Sequence, residues 1–195
     1  MKPILRLCLL AVVSLTAACS AEPQSELDLA LQELDKAIAL RPQAIELKKE
    51  RIEFNRAALA NEDLAYRQIM EIMEGLIDEY DKYQLDSTIQ WTWRAIELAT
   101  RRNDHKRADE LRLRTSKLYS AAGFYGEAEA ILRSIDTLAM SPAEIRNYYA
   151  AAHSYYREMR EYSADTHIQQ QSAKKEEYYI NRLIDTEGDW FEKHK

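Results

Sequence analysis

The chain has 195 residues, a formal net charge of −6, four glycines, four prolines, and valine only at positions 12 and 13. Glycine and proline together make up about 12% of an average protein, and hairpins and β-branched strands depend on such residues. Barrels, sandwiches and doubly wound sheets are therefore excluded, and an all-α fold is expected. With 31% charged and 46% hydrophobic residues, the composition is that of a packed domain rather than a disordered one.

Residues 1–18 have the layout of a secretory signal: the basic start Lys2 to Arg6, an apolar run from Leu7 to Leu15, then Thr16-Ala17-Ala18 before Cys19. The apolar run is shorter than the roughly 20 residues a membrane span needs. Leu15-Thr16-Ala17-Ala18-Cys19 resembles a bacterial lipobox, with Thr16 where leucine is commonest. The resemblance implies diacylation of the Cys19 thiol, cleavage before it, and attachment to a membrane facing the periplasm. Loss of Lys2 and Arg6 with the signal would move the formal net charge from −6 to −8. Cys8 would leave with it, so no intrachain disulfide is expected and the fold must rest on its core. An acidic exported chain is a poor nucleic-acid binder. The local basic pairs Arg101-Arg102 and Lys106-Arg107 read as cations at a helix end and across a short turn.

Residues 19–24 form a lipidated tether and 25–60 an N-terminal helical segment. Ser25 and Asp28 give a capping-box-like start to a helix over 26–40. Pro42 either opens a new helix or kinks a continuous one. Leu31, Ile38, Ile45, Ile52 and Leu59 recur every seven residues. Leu27 and Leu34 fill the complementary heptad position, which Arg41, Lys48 and Asn55 take over later. This helix offers either a face laid along the rest of the protein or a homodimer seam.

Helix pairs are expected over 61–187. Asn61 caps a helix to about Tyr80, and Asp86 the next to about Thr100. Asp104 opens a third that ends near Gly123. A fourth covers about Tyr125 to Leu138. Ser141-Pro142-Ala143-Glu144 starts a fifth, and Ser163 caps the last, to about Thr186. Residues 188–195 form a tail.

Ser116, Tyr119, Gly123, Tyr125, Ala128, Leu132 and Pro142 resemble a tetratricopeptide (TPR) repeat, a helix–turn–helix unit of 34 residues. Tyr83 before it and Tyr156 with Tyr162 after it mark two weaker copies. Arg160 and Asp165 stand where the last copy should have its glycine and its small residue. The resemblance implies a right-handed solenoid of about three helix pairs, preceded by one long or kinked helix. Small residues such as Ser116 and Ala128 would let paired backbones approach. The acidic opening helices and the string Tyr80-Asp81-Lys82-Tyr83-Gln84-Leu85-Asp86-Ser87 are also similar to the start of a family of exported bacterial TPR proteins. Longer members of that family continue into a transmembrane helix and a regulatory region, so a short or truncated sensor is the second functional expectation.

His105, His153, His167 and His194 have no metal-ligand spacing, and no phosphate loop or nucleophile elbow occurs. Neither an enzyme, a metal nor a cofactor is expected. The tyrosine rows through Tyr148, Tyr155 and Tyr162 and through Tyr149 and Tyr156 read as packing, or as a strip touching a peptide or glycan. The TPR resemblance implies a groove lined by the first helix of each pair. Its candidates are Gln68, Glu71 and Asp78, then Glu110, Leu113 and Lys117, then Asn147, Ala150, Ser154 and Arg157. A groove acidic at one end suits a basic or polar extended protein or peptide segment. The leading functional expectation is thus a lipid-anchored interaction scaffold.

Overall fold

A computed structural model of the chain describes residues 25–193, with side chains described through Thr186. The signal and tether expected over 1–24, Cys19 included, lie outside the described residues. So do His194 and the side chains of Trp190 and Phe191. Seven α-helices and one 3-10 turn, without a strand, make up the described residues. They are α1 (Glu26–Ala58), α2 (Tyr66–Tyr80), α3 (Leu85–Arg101), α4 (His105–Ala121), α5 (Tyr125–Ser134), the turn Thr137–Ala139, α6 (Pro142–Tyr162) and α7 (Thr166–Lys193). The chain divides into two units, 1–50 and 51–195.

In the first unit, α1 begins where its cap predicts: the Ser25 hydroxyl accepts from the Asp28 amide at 3.1 Å. Pro42 lies inside α1, and the helix runs through it, so the alternative of a second helix starting there is not realised. The apolar side chains lie on two sides of the helix, Leu27, Leu31, Leu34 and Ile38 on one and Leu29, Leu40 and Leu47 on the other. All seven are exposed.

In the second unit the sevenfold row changes character. Ile52 is buried with Leu76 and Tyr80, and Leu59, Tyr83 and Trp91 pack against them. From there the helices stack in series. α2 packs on α3, α3 on α4, α4 on α5 and α6, α5 on α6, and α6 on α7. Two cores result. Met70, Ile77, Ala95, Ile96, Ala99, Ala108 and Leu111 join α2, α3 and α4, while Leu113, Ala128, Leu132, Ile135, Ala151, Ala152 and Tyr155 join α4, α5 and α6. α4 serves both cores from different faces.

Side-chain caps and turns explain most of the boundaries. Asp104 accepts from the Arg107 amide at 3.1 Å and opens α4. Gly123 ends the following turn at φ 82°, a conformation that costs other residues about 1–2 kcal/mol. Ser141 and Glu144 form the reciprocal box at the start of α6, with the Ser141 amide donating to Glu144 at 2.8 Å.

Four boundaries differ from expectation. Asn61 accepts from the Asp63 amide at 3.0 Å and stabilises a turn, while α2 starts at Tyr66, where Gln68 accepts from the Ala65 amide at 2.9 Å. Asp86 sits inside the first turn of α3 instead of capping it. α5 stops at Ser134, and Asp136 caps the 3-10 turn instead. At α7 the capping acceptor is Asp165, which accepts from the His167 amide at 2.7 Å, and the helix continues past Gly188 to Lys193.

Candidate functional site: a groove across the first helices

The close approach between paired helices falls at Ser116 and Ala128, both fully buried. The Ser116 hydroxyl donates to the Ala128 carbonyl at 3.3 Å, so α5 meets α4 through backbone and a β-carbon. Leu132 is buried in the same cluster, with Tyr119, Tyr125 and Tyr156 packed against it. Tyr162, also proposed for repeat packing, is 65% exposed at the last turn of α6. The helix ends there, and no later turn of α6 covers the ring.

Each pair presents its first helix, α2, α4 or α6, beside the next. Two pockets open between them. One, of about 530 Å³, lies between α2 and the start of α4, with Tyr66, Met70, Glu71 and Glu74 on one side and Arg107 and Glu110 on the other. The second, of about 140 Å³, is lined by His105, Asp109, Glu110 and Leu113 of α4, by Met140, and by Glu144 and Asn147 of α6. Lys106 and Glu110 line both, so the two pockets adjoin across the N-terminal halves of the three helices.

Ion pairs across the helices shape its electrostatics. Arg107 donates from Nε to Glu74 of α2 at 2.5 Å and from Nη1 to Glu110 at 2.7 Å. Its Nη2 makes a further bond to Glu74. Lys106 reaches Glu144 of α6 at 3.6 Å. The Glu144 carboxyl is held below its ordinary range by the Ser141 hydroxyl and amide, with Lys106 adding to the effect. The Tyr66 hydroxyl donates to Asp104 at 2.7 Å. Burial, with the Asp104 bond and charge, pushes this phenol up to about 12. Cations in the first turn oppose the helix dipole. Lys106 and Arg107 therefore sit at the unfavourable end of α4, stabilised there by acids from three helices. The pair stands across a short turn from the end of α3, as expected from the sequence.

Of the groove candidates, Glu71, Glu110, Leu113 and Asn147 line these pockets. Leu113 does so while only 4% exposed, because most of its side chain faces the α4–α6 core. Gln68, Asp78, Lys117, Ala150, Ser154 and Arg157 do not line them. The expected acidic end is also largely neutralised: Glu71 pairs with Arg67 at 2.9 Å and Asp78 with Arg114 at 2.7 Å. Arg107, Lys106 and Met140 were missed as lining residues. Two cations against the dipole at the start of α4 were the signal that acids from neighbouring helices must face them.

The tyrosine rows divide. Tyr155 is buried, and Tyr156 stacks on Tyr179 of α7 with centroids 5.6 Å apart. Tyr148 meets Tyr179 edge-on at 6.3 Å. Tyr178 is exposed, with the Arg182 guanidinium over its ring. His153 lies 3.8 Å from Glu176, which also takes Arg160 at 2.6 Å. No group of side chains able to hold a metal occurs among the described residues, and no described helix is long and apolar enough to cross a membrane.

Helix pairs stacked in series, close packing at Ser116 and Ala128, and a groove along the first helices define a TPR protein. TPR domains mediate protein–protein interactions and are generally non-enzymatic modules. The family model described as the SusR N-terminal TPR domain matches residues 38–188, and the chain belongs to that family. Searches among curated proteins and solved structures give no match.

Proposed function

We propose that the protein is a non-enzymatic scaffold, lipid-anchored through Cys19 in the cell envelope, that holds an extended segment of a partner protein in the groove between α2, α4 and α6. The carrying observation is that the two pockets adjoin at Lys106 and Glu110. Adjoining pockets over three helices fit a chain better than a small molecule.

The groove acids already have cationic neighbours, so net charge is a poor basis for selecting the guest. Recognition instead rests on apolar contact at Met140, with only the edges of the buried Met70 and Leu113 in reach, and on hydrogen bonds from His105 and Asn147. A photo-crosslinking residue placed at His105 or Asn147, both exposed, should capture a protein in envelope extracts. The same residue at exposed Arg101 on α3 should not. Equal capture at all three positions, or none, would remove the groove assignment. For the anchor, Cys19→Ala should abolish incorporation of a labelled fatty acid and release the chain from the membrane fraction.

A further inference from the structure

Granted the guest groove between α2, α4 and α6, we propose that the Lys106 ammonium holds the guest by a main-chain carbonyl where the two pockets adjoin. Among the described residues Lys106 is the one cation that lines both pockets. Its neighbour Arg107 is committed, with three nitrogens bonded to Glu74 and Glu110. Lys106 is not. An ammonium carries three donors, yet Lys106 reaches Glu144 only at 3.6 Å, beyond hydrogen-bond distance, and its side chain is 65% exposed. Exposed pairs of this kind are weak. Glu144 loses little if the ammonium leaves, because it keeps the Ser141 amide at 2.8 Å and the Ser141 hydroxyl. Lys106 also stands in the first turn of α4, where the helix dipole disfavours a cation without an acceptor.

Charge decides what that acceptor is. Asp109, Glu110, Asp136 and Glu144 all line the α4–α6 pocket. A guest carboxylate would lie among four acids, and a guest cation would meet Lys106 itself. A neutral carbonyl meets neither objection. An extended chain turns a carbonyl to the same side at every second residue, about 6.6 Å apart, so the ammonium has an acceptor whatever the guest's side chains are. Asn147 lines the same pocket and makes no bond to other described residues. Its amide offers a donor and an acceptor, the same pair that a peptide unit presents. The partner that fits is an uncharged extended stretch of polypeptide, read through its backbone.

The test uses the full chain and short fluorescein-labelled peptides in three sets, uncharged, acidic and basic, followed by fluorescence anisotropy. Uncharged peptides should bind the native chain, and acidic ones should bind more weakly. Lys106→Met should weaken the uncharged set about tenfold, the loss of one hydrogen bond from a charged donor. Lys106→Arg should keep most of the affinity. Neither change should move the melting temperature, because the side chain is exposed. Replacing successive peptide bonds of one uncharged peptide by esters weakens one carbonyl acceptor at a time. One ester position should cost affinity with the native chain and cost nothing further with Lys106→Met, a coupling that a merely structural lysine would not show. Equal binding by the native chain and Lys106→Met, or ester losses identical in the two, would overturn the proposal and leave the groove standing. So would acidic peptides that bind more tightly than uncharged ones. If the native chain bound none of the peptides, the groove reading would fall together with it.

Discussion

At the Ser116–Ala128 contact the spacing of α4 and α5 is set by the absence of side-chain atoms. Both residues are fully buried, and anything larger at 128 must enter the filled core that joins α4, α5 and α6. Ala128→Leu should therefore destabilise the fold by about 1–3 kcal/mol, the usual cost of overpacking a filled core, read from the midpoint of urea unfolding. Asp104 carries two separable roles through its two oxygens, accepting the Arg107 amide and the Tyr66 hydroxyl. Tyr66→Phe removes one hydrogen bond and should cost about 1 kcal/mol. Asp104→Ala removes the cap as well and should cost about 1 kcal/mol more, in the same titration. The cap was legible in the sequence because it acts within four residues of its own chain. The Tyr66 bond spans 38 positions and follows only from the stacking of α2 beside α4.

The elements themselves were largely legible. Helix starts at Ser25, Asp104 and Ser141 depend on local donors and acceptors, and the sequence places all three correctly. The misplaced starts differ in cause. Asn61 is held in a turn by the Asp63 amide, and Asp165 takes the capping role expected of Ser163. In contrast, α3 begins one residue before Asp86 with no side-chain cap at all. Pro42 shows another limit. Proline lacks the amide that would reach the carbonyl four residues earlier, yet α1 continues through it. Pro42→Ala should restore the bond to Ile38 and slow amide exchange over residues 38–46. Unchanged exchange there would mean that the helix is held by something other than its own ladder.

In the second unit as a whole, stability is a chain of neighbour contacts with α4 as the shared member, as in other repeat proteins. Its pH dependence should be asymmetric. Burial raises the phenols of Tyr66 and Tyr155 to about 12 and that of Tyr179 further, against an unfolded value of about 10. Groups raised in the folded state contribute fully below the unfolded value and lose that contribution as pH climbs through the folded one. The melting temperature should therefore hold up to about pH 10 and then fall, with phenolate absorbance appearing on unfolding. Tyr179→Phe should reduce this loss, and so should Tyr156→Phe, whose phenol burial also pushes up.

The class of fold follows from the sequence alone, because scarce glycine and proline, absent β-branched strands and local caps act over a few residues and leave only helices. The repeat was legible for a related reason: small residues at a fixed offset mark where two backbones must touch. The groove was decided by tertiary structure. Its floor and charge come from Glu74, Lys106, Arg107, Glu110 and Glu144, which stand on three helices and acquire their environment only when those helices stack. Of the candidates implied by the TPR resemblance, only Glu71, Glu110, Leu113 and Asn147 line it. The full set missed its position near the helix N-termini and its internal neutralisation, because ion pairing between helices depends on distances that no single helix contains.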